Sequence, residues 1–305
     1  MGNHIYLAPE GCPEEPLFNA LGAVVAMATA AAAEGKFHKE TTDRATVLLI
    51  SPLETPRQLH EAMVADLHLK VRTSSLKEPS RPQSEIVVLD LITQTWAVRT
   101  EDDWRLFSRD PGFLVAAFSA ARREMILLAH RFELLSGLPA NAALRRQIDA
   151  LQQAGIAFEP FPETQFQPAA DLDSPGIGFY LDWDKAYHQI QNDVAAAKVR
   201  VIWNLPGVVG GDRSLIQPRP GLEQVLIQEL DSATMRRWGE LGFKVSTELR
   251  GELCIVLDDD LVWLIGSPRD EEAVRPFARV RGRRTTSLLV DLFKLREFFN
   301  PKPAL

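Results

Sequence analysis

The sequence predicts an α/β fold in which a doubly wound parallel-sheet domain is followed by a second α/β domain. Three observations predict it. Apolar runs alternate along the chain with segments whose apolar residues recur at helical spacing, the order that repeated strand–helix units produce. Two of the runs, ATVLLI at 45–50 and EIVVLDLI at 85–92, lack polar alternation, as strands covered on both faces do. Residues 155–178 carry prolines at 160, 162, 168 and 175 with acidic residues between them, which disfavours helix and sheet and marks a linker. The expected division is 1–165, a linker at 166–178, and 179–305.

In order, residues 5–7 are expected as a short strand and the Ala-rich 17–33 as a packed helix. Ser51-Pro52 ends the strand at 45–50, and Leu59, Met63, Val64 and Leu67 give 55–69 a helical period. Residues 71–73 are read as a strand, 85–92 as the next, 112–124 as a helix, 125–129 as a strand, and 141–154 as a helix ending before Gly155. Beyond the linker, 183–197 reads as a helix leading into the strand VRVIW, 221–241 as a long helix bounded by Gly242, and 243–247 as a strand. A hairpin follows: Leu253 to Leu257 go up, Asp258 to Asp260 turn, and Leu261 to Ile265 return to Gly266-Ser267. The run SLLVDLFKLREFF closes the chain as a helix.

Composition limits the function classes. With 305 residues, 46% of them hydrophobic, the chain can bury two cores of about 150 residues each. The 34 basic and 41 acidic side chains leave a net charge of −7, which argues against avid nucleic-acid binding by the whole surface. Cys12 and Cys254 are too few for a disulfide framework or a zinc site and suit a reducing compartment. Tyr6 stands where a myristoylation signal needs Ser or Thr. Glu10, Glu14 and Glu15 stand where a signal peptide carries positive charge. A cytoplasmic protein without a membrane span is expected.

The stretch ELCIVLDDDLVWLIGSPR at 252–269 resembles the catalytic motif of the phospholipase D superfamily, H-x-K-x4-D-x6-G-S-x-N. Aligned on Gly266-Ser267, the motif's Asp falls on Asp259, its His on Glu252, its Lys on Cys254 and its Asn on Arg269. The resemblance implies a phospholipase D-like domain without its activity. In that family the His attacks phosphorus while Lys and Asn hold phosphoryl oxygens, and neither a carboxylate nor a thiol can take those roles. It also implies homodimerisation, since a single half of that fold completes its site across a two-fold.

The first part resembles the second RecA-like domain of superfamily 1 helicases of the Upf1/Dna2 type, over roughly residues 3–160. Gln58 in LLISPLETPRQL falls near that family's Gln. VAAFSAARREMILLA matches its N-V-A-x-[ST]-R-A-R helix at Ser119 and Arg122 but places Val115 on the Asn and Ala120 on the arginine finger. Such a finger is worth about 10³ to 10⁵ in rate. The chain also has no G-x-x-x-x-G-K-[ST] phosphate cradle. The pair of resemblances implies the tail of a bacterial helicase–nuclease fusion that has lost both chemistries.

Three functions are expected from this. The first is a non-catalytic subunit or adaptor that binds a protein partner in a nucleic-acid-processing or defence complex. The second is a module binding DNA or RNA through Arg279, Arg281, Arg283 and Arg284, the densest basic cluster. The third is a phosphodiesterase with a rebuilt site in which Asp259 and Glu252 share an added metal ion. Asp258 to Asp260 are otherwise read as a solvated turn, Trp203 and Trp263 as core, and His38, His60 and His68 as unconnected to any metal. No cofactor is assigned.

Overall fold

The computed structural model describes residues 2–7, 20–37, 47–51, 54–75, 83–91, 111–129, 143–153, 158–160, 176–181, 183–205, 216–228, 230–248, 252–266 and 276–299. The chain is α/β, with one parallel sheet and one mixed sheet. Strands β1 (Gly2–Leu7), β2 (Val47–Ser51), β3 (Val71–Ser75), β4 (Ser84–Asp90), β5 (Ala121–Ala129) and β6 (Phe158–Pro160) form a six-stranded parallel sheet in the order β3-β2-β4-β5-β1-β6. The unbroken apolar runs are its centre: Val47 to Ile50 and Ile86 to Leu89 are fully buried, as strands with helices on both faces must be.

The second sheet takes β7 (Ile177–Tyr180), β8 (Arg200–Asn204), β9 (Glu223–Ile227), β10 (Lys244–Ser246), β11 (Cys254–Leu257), β12 (Leu261–Ile265) and β13 (Phe277–Arg281), in the order β10-β9-β8-β11-β12-β13-β7. It is parallel from β10 to β8 and antiparallel from β8 to β7. Side chains alternate between its faces. Cys254, Val256, Val262, Leu264, Ala278 and Val280 enter one apolar cluster, and Ile255, Leu257, Trp203, Trp263 and Phe277 enter another.

Helix α1 (Ala20–Phe37) joins the two sheets. It lies against β2, β4 and helix α2 (Glu54–Leu67) on one side and against β7, β12 and β13 on the other, and Ala20, Leu21 and Ala23 to Met27 are wholly buried. A helix apolar on every face must be enclosed on every face. Alanines at 20, 23, 26, 28, 30 and 33 keep its girth small enough for two sheets to close on it. One hydrophobic cluster therefore runs from Leu49 and Val88 through α1 to Val262 and Val280. No helix among the described residues is long and apolar enough to cross a membrane.

The remaining helices are α3 (Pro111–Ala120), α4 (Ala143–Gln153), α5 (Trp183–Ala196), α6 (Ser232–Glu240) and α7 (Arg283–Leu292), with a 3-10 turn at Arg296–Phe298. Two sequence expectations are corrected here. The long helix at 221–241 is strand β9 followed by α6. Val225 to Ile227 are buried between β8 and β10, and Asp231 starts the helix by accepting from the N–H groups of Ala233 and Thr234. The helix at 112–124 stops at Ala120, so Arg122 lies on strand β5. Of the expected linker, 166–175 lie outside the described residues, and Ile177 and Gly178 belong to β7.

Candidate functional site

The β11–β12 hairpin positions the residues that the phospholipase D-like frame singles out. Glu252 is buried, and its carboxylate accepts from the N–H groups of Ala20 and, at 3.1 Å, Leu21, the free donors at the start of α1. Its own carbonyl accepts from Asn204 Nδ2 at 2.8 Å, which ties it to β8. Burial pushes the Glu252 carboxyl up to about 7 against the opposing pull of the two N–H donors. Cys254 is a fully buried strand residue facing α1, and burial together with the Glu252 carboxylate pushes its thiol up. Glu252 thus caps a helix, and Cys254 fills core.

The three turn acids divide their roles. Asp258, at φ 50°, accepts from the N–H groups of Lys198, Val199 and Arg200 at 2.8–3.3 Å. Burial opposes its charge, but those donors hold its carboxyl below the ordinary value. It is a structural cap for the entry to β8, which corrects the reading of a merely solvated turn. Asp259 is 71% exposed and stands 3.7 Å from Arg200, itself ion-paired to Glu223 at 2.6 Å and stacked on Phe299. Glu252 and Asp259 lie beyond opposite ends of β11, roughly 13 Å of strand at about 3.3 Å per residue, so they cannot share one metal ion. Ser267 and Arg269 lie outside the described residues.

Arg279 and Arg281 share one face of β13, and their position along the strand separates them. Arg279 has the parity of Phe277, which turns it under α5, where its Nε and Nη2 donate to Asp193 at 2.7 and 2.9 Å. Trp263 Nε1 donates to the same carboxylate at 2.9 Å. Arg279 is therefore withdrawn from the predicted nucleic-acid set. Arg281 is half exposed, 3.9 Å from Asp260, while Arg283 and Arg284 are exposed on the first turn of α7.

That turn is capped from the other half of the chain. Gly282, at φ 154°, offers no side chain, and Asp66 near the end of α2 accepts from Thr285 N at 2.8 Å, Thr285 Oγ1 at 2.9 Å and Arg284 N at 3.4 Å. Glu252 of the second half caps α1 of the first, and Asp66 of the first caps α7 of the second.

On the parallel sheet, Gln58 is exposed on α2 and Arg122 on β5 beside Gln83 (3.2 Å) and Glu85 (3.8 Å), so the two helicase-like positions are not brought together. The structure instead assembles a polar group that sequence reasoning passed over. Ser51 and Asp90 end the adjacent strands β2 and β4, brought level by the pairing of Ile50 with Leu89. Ser51 Oγ lies 3.0 Å from His60 Nδ1 and 3.3 Å from Asp90 Oδ2, and His60 Nε2 donates to the Ala23 carbonyl of α1 at 3.0 Å. The Ala23 oxygen can only accept, so Nε2 carries the imidazole proton. Burial pushes the His60 pKa down, against Asp90 and the Ala23 contact, and the Ser51 hydroxyl between the two side chains donates its one proton to Asp90. The available signal was one polar residue closing each of two apolar runs at the carboxyl ends of parallel strands. All three side chains are wholly buried, so the group holds α1 and does not meet a substrate. His68 stands exposed at φ 52° beyond the end of α2, and His38 lies outside the described residues.

No family model matches this chain, and no curated protein matches it. A solved structure that it resembles is that of TrmBL2, described as an archaeal chromatin protein with a novel mode of DNA binding. The identity is 9% and the TM-score 0.32, over 51% of this chain and 59% of that one, and a likeness this distant carries no argument.

Proposed function

We propose that the chain is a non-catalytic adaptor of a nucleic-acid-processing or defence complex, built from a RecA-like parallel-sheet half and a phospholipase D-like half. One observation carries the reading. The residue at the family's nucleophile position, Glu252, is committed to the N-terminus of α1, and the residue at the lysine position, Cys254, lies buried beneath the same helix. A phosphodiester has neither a nucleophile nor a cation to meet there, and α1 closes the approach. The metal-dependent alternative is weakened because β11 separates Glu252 from Asp259. A dimer that completes the site across a two-fold is disfavoured too, because α1 of the same chain already covers the Glu252 face.

Contact with nucleic acid is a second reading, favoured by Arg283 and Arg284 side by side on an exposed helical turn with Arg281 at the adjoining strand end. One experiment addresses both. Purified protein is titrated against labelled single- and double-stranded DNA and RNA across a salt series, and the same substrates are incubated with Mg²⁺ or Mn²⁺. The adaptor reading expects no cleavage. Binding through the arginines expects Arg283→Ala with Arg284→Ala to reduce the log–log salt slope by about 2. Metal-dependent cleavage abolished by Asp259→Asn would sink the adaptor reading, and unchanged binding in the double variant would remove the arginine one.

A further inference from the structure

Two buried titratable side chains, one from each half of the chain, hold the same turn of the helix that joins the sheets. Glu252, beside β11, receives the Ala20 and Leu21 N–H groups, and His60 of α2 donates to the Ala23 carbonyl. The titratable group facing Glu252 among the described residues is Cys254, while β8 contributes the Asn204 amide and α1 only N–H donors. His60 faces Asp90 from β4, with the Ser51 hydroxyl from β2 and the Ala23 carbonyl from α1. No cation is ranged against Glu252 among the described residues, so its charge rests on two peptide dipoles in a buried site.

We propose that the first turn of α1 is a proton-balanced clamp, in which Glu252 and His60 stabilise the junction of the two halves with opposite pH dependence. The signs follow from linkage. Glu252 rises from an ordinary 4.5 to about 7 on folding, so the folded protein keeps a proton that the unfolded chain releases. Its contribution is complete below about pH 4.5 and is lost as pH climbs towards 7. His60 falls below its ordinary 6.5 on folding, so its contribution is complete above pH 6.5 and is lost as pH drops. Below pH 6.5, while His60 still titrates, the two slopes oppose each other, and removing either group exposes the other.

Urea unfolding of the full chain at pH 4.5 to 7.5 tests this in wild type, Glu252→Gln and His60→Gln. Taking each variant relative to wild type cancels the background from other carboxylates such as Asp258 and Glu223. Relative to wild type, the unfolding constant of Glu252→Gln is expected to fall with rising pH, by up to tenfold per unit, and that of His60→Gln to rise by a comparable factor. Slopes of the same sign, or variant curves parallel to wild type, overturn the clamp. Should a variant fail to fold, wild-type protein labelled with ¹⁵N at alanine and leucine decides instead. Ala20 and Leu21 amide shifts moving together with a midpoint near 7 support the clamp, and amide shifts flat from pH 5 to 8 refute it.

Discussion

Replacing Asp66 with alanine should loosen the second half of the protein although Asp66 belongs to the first. The Asp66 carboxylate makes two close bonds, to Thr285 N at 2.8 Å and Thr285 Oγ1 at 2.9 Å, and its 3.4 Å approach to Arg284 N adds little. Losing a helix cap costs about 0.5–2 kcal/mol. Thr285 is wholly buried, so its hydroxyl is left without its acceptor, which adds about 1 kcal/mol at the low end of such penalties. Together these give a loss of about 2 kcal/mol, or a drop of roughly 0.7 M in the urea midpoint at a slope of about 3 kcal/mol/M. The assay follows tryptophan fluorescence, to which the buried Trp203 and Trp263 of the second sheet contribute, alongside far-ultraviolet dichroism for both sheets. Both signals should shift together in one transition. A tryptophan transition unmoved by Asp66→Ala, or two separated transitions in wild type, would refute the reasoning that the halves are capped and cored as one body.

Two further outcomes follow from the second sheet. Asp193→Ala strands the Arg279 guanidinium beneath α5 and leaves Trp263 Nε1 without its acceptor, and should lower stability by about 3–5 kcal/mol in the same urea assay; a loss below about 1 kcal/mol would mean that Arg279 reaches solvent. Cys254, in a Cys12→Ser background, should resist a thiol reagent such as Ellman's until the protein unfolds, because the thiol is buried and pushed away from its reactive thiolate form; rapid stoichiometric labelling of native protein would contradict the packing under α1.

Much of the fold was legible because it is written in periodicity. ATVLLI and EIVVLDLI carry the unbroken apolar runs of strands covered on both faces, and the Cys254–Ile265 stretch carries two such runs about a three-residue acidic turn, which is a hairpin. The failures have local causes. The segment GLEQVLIQEL satisfies a helical period and a strand run equally well, and what decides it is pairing with β8 and β10, partners distant in sequence. α1 was recognised as a packed helix, but nothing local says that a small-residue helix will lie between two sheets, since that depends on both sheets existing. The arginine cluster was over-read because the four arginines differ in what covers them: Arg279 and Arg281 share one face of β13, but Arg279 meets Asp193 beneath α5 while Arg281 is half exposed at the strand end. Parity places Arg279 with Phe277 on the α5 face, and Asp193, three residues after Ile190 on the same helix, supplies the charge it meets. The Ser51–His60–Asp90 group was missed because its members lie on three elements and because its contact with α1 is to a backbone carbonyl.

The Glu252 hairpin separates what a motif's spacing encodes from what its residue types encode. The interval from Glu252 to Gly266 fits an up strand, a three-residue turn and a down strand, and those lengths are demanded by the pairing of Cys254 with Leu264 and Leu257 with Leu261 whatever chemistry the hairpin carries. Residue type answers to the immediate surroundings instead. A carboxylate at 252 is the one kind of side chain that both accepts from the two free N–H groups of α1 and favours the positive end of its dipole, and a small apolar group at 254 is what a strand beneath that helix requires. A histidine at 252 could offer only one acceptor to those two donors, and a lysine at 254 would bury an ammonium among Val256, Val262 and α1. Enclosing α1 and carrying the motif's histidine and lysine would be competing demands on the same positions. In this chain the residues at both positions meet the demands of enclosing α1.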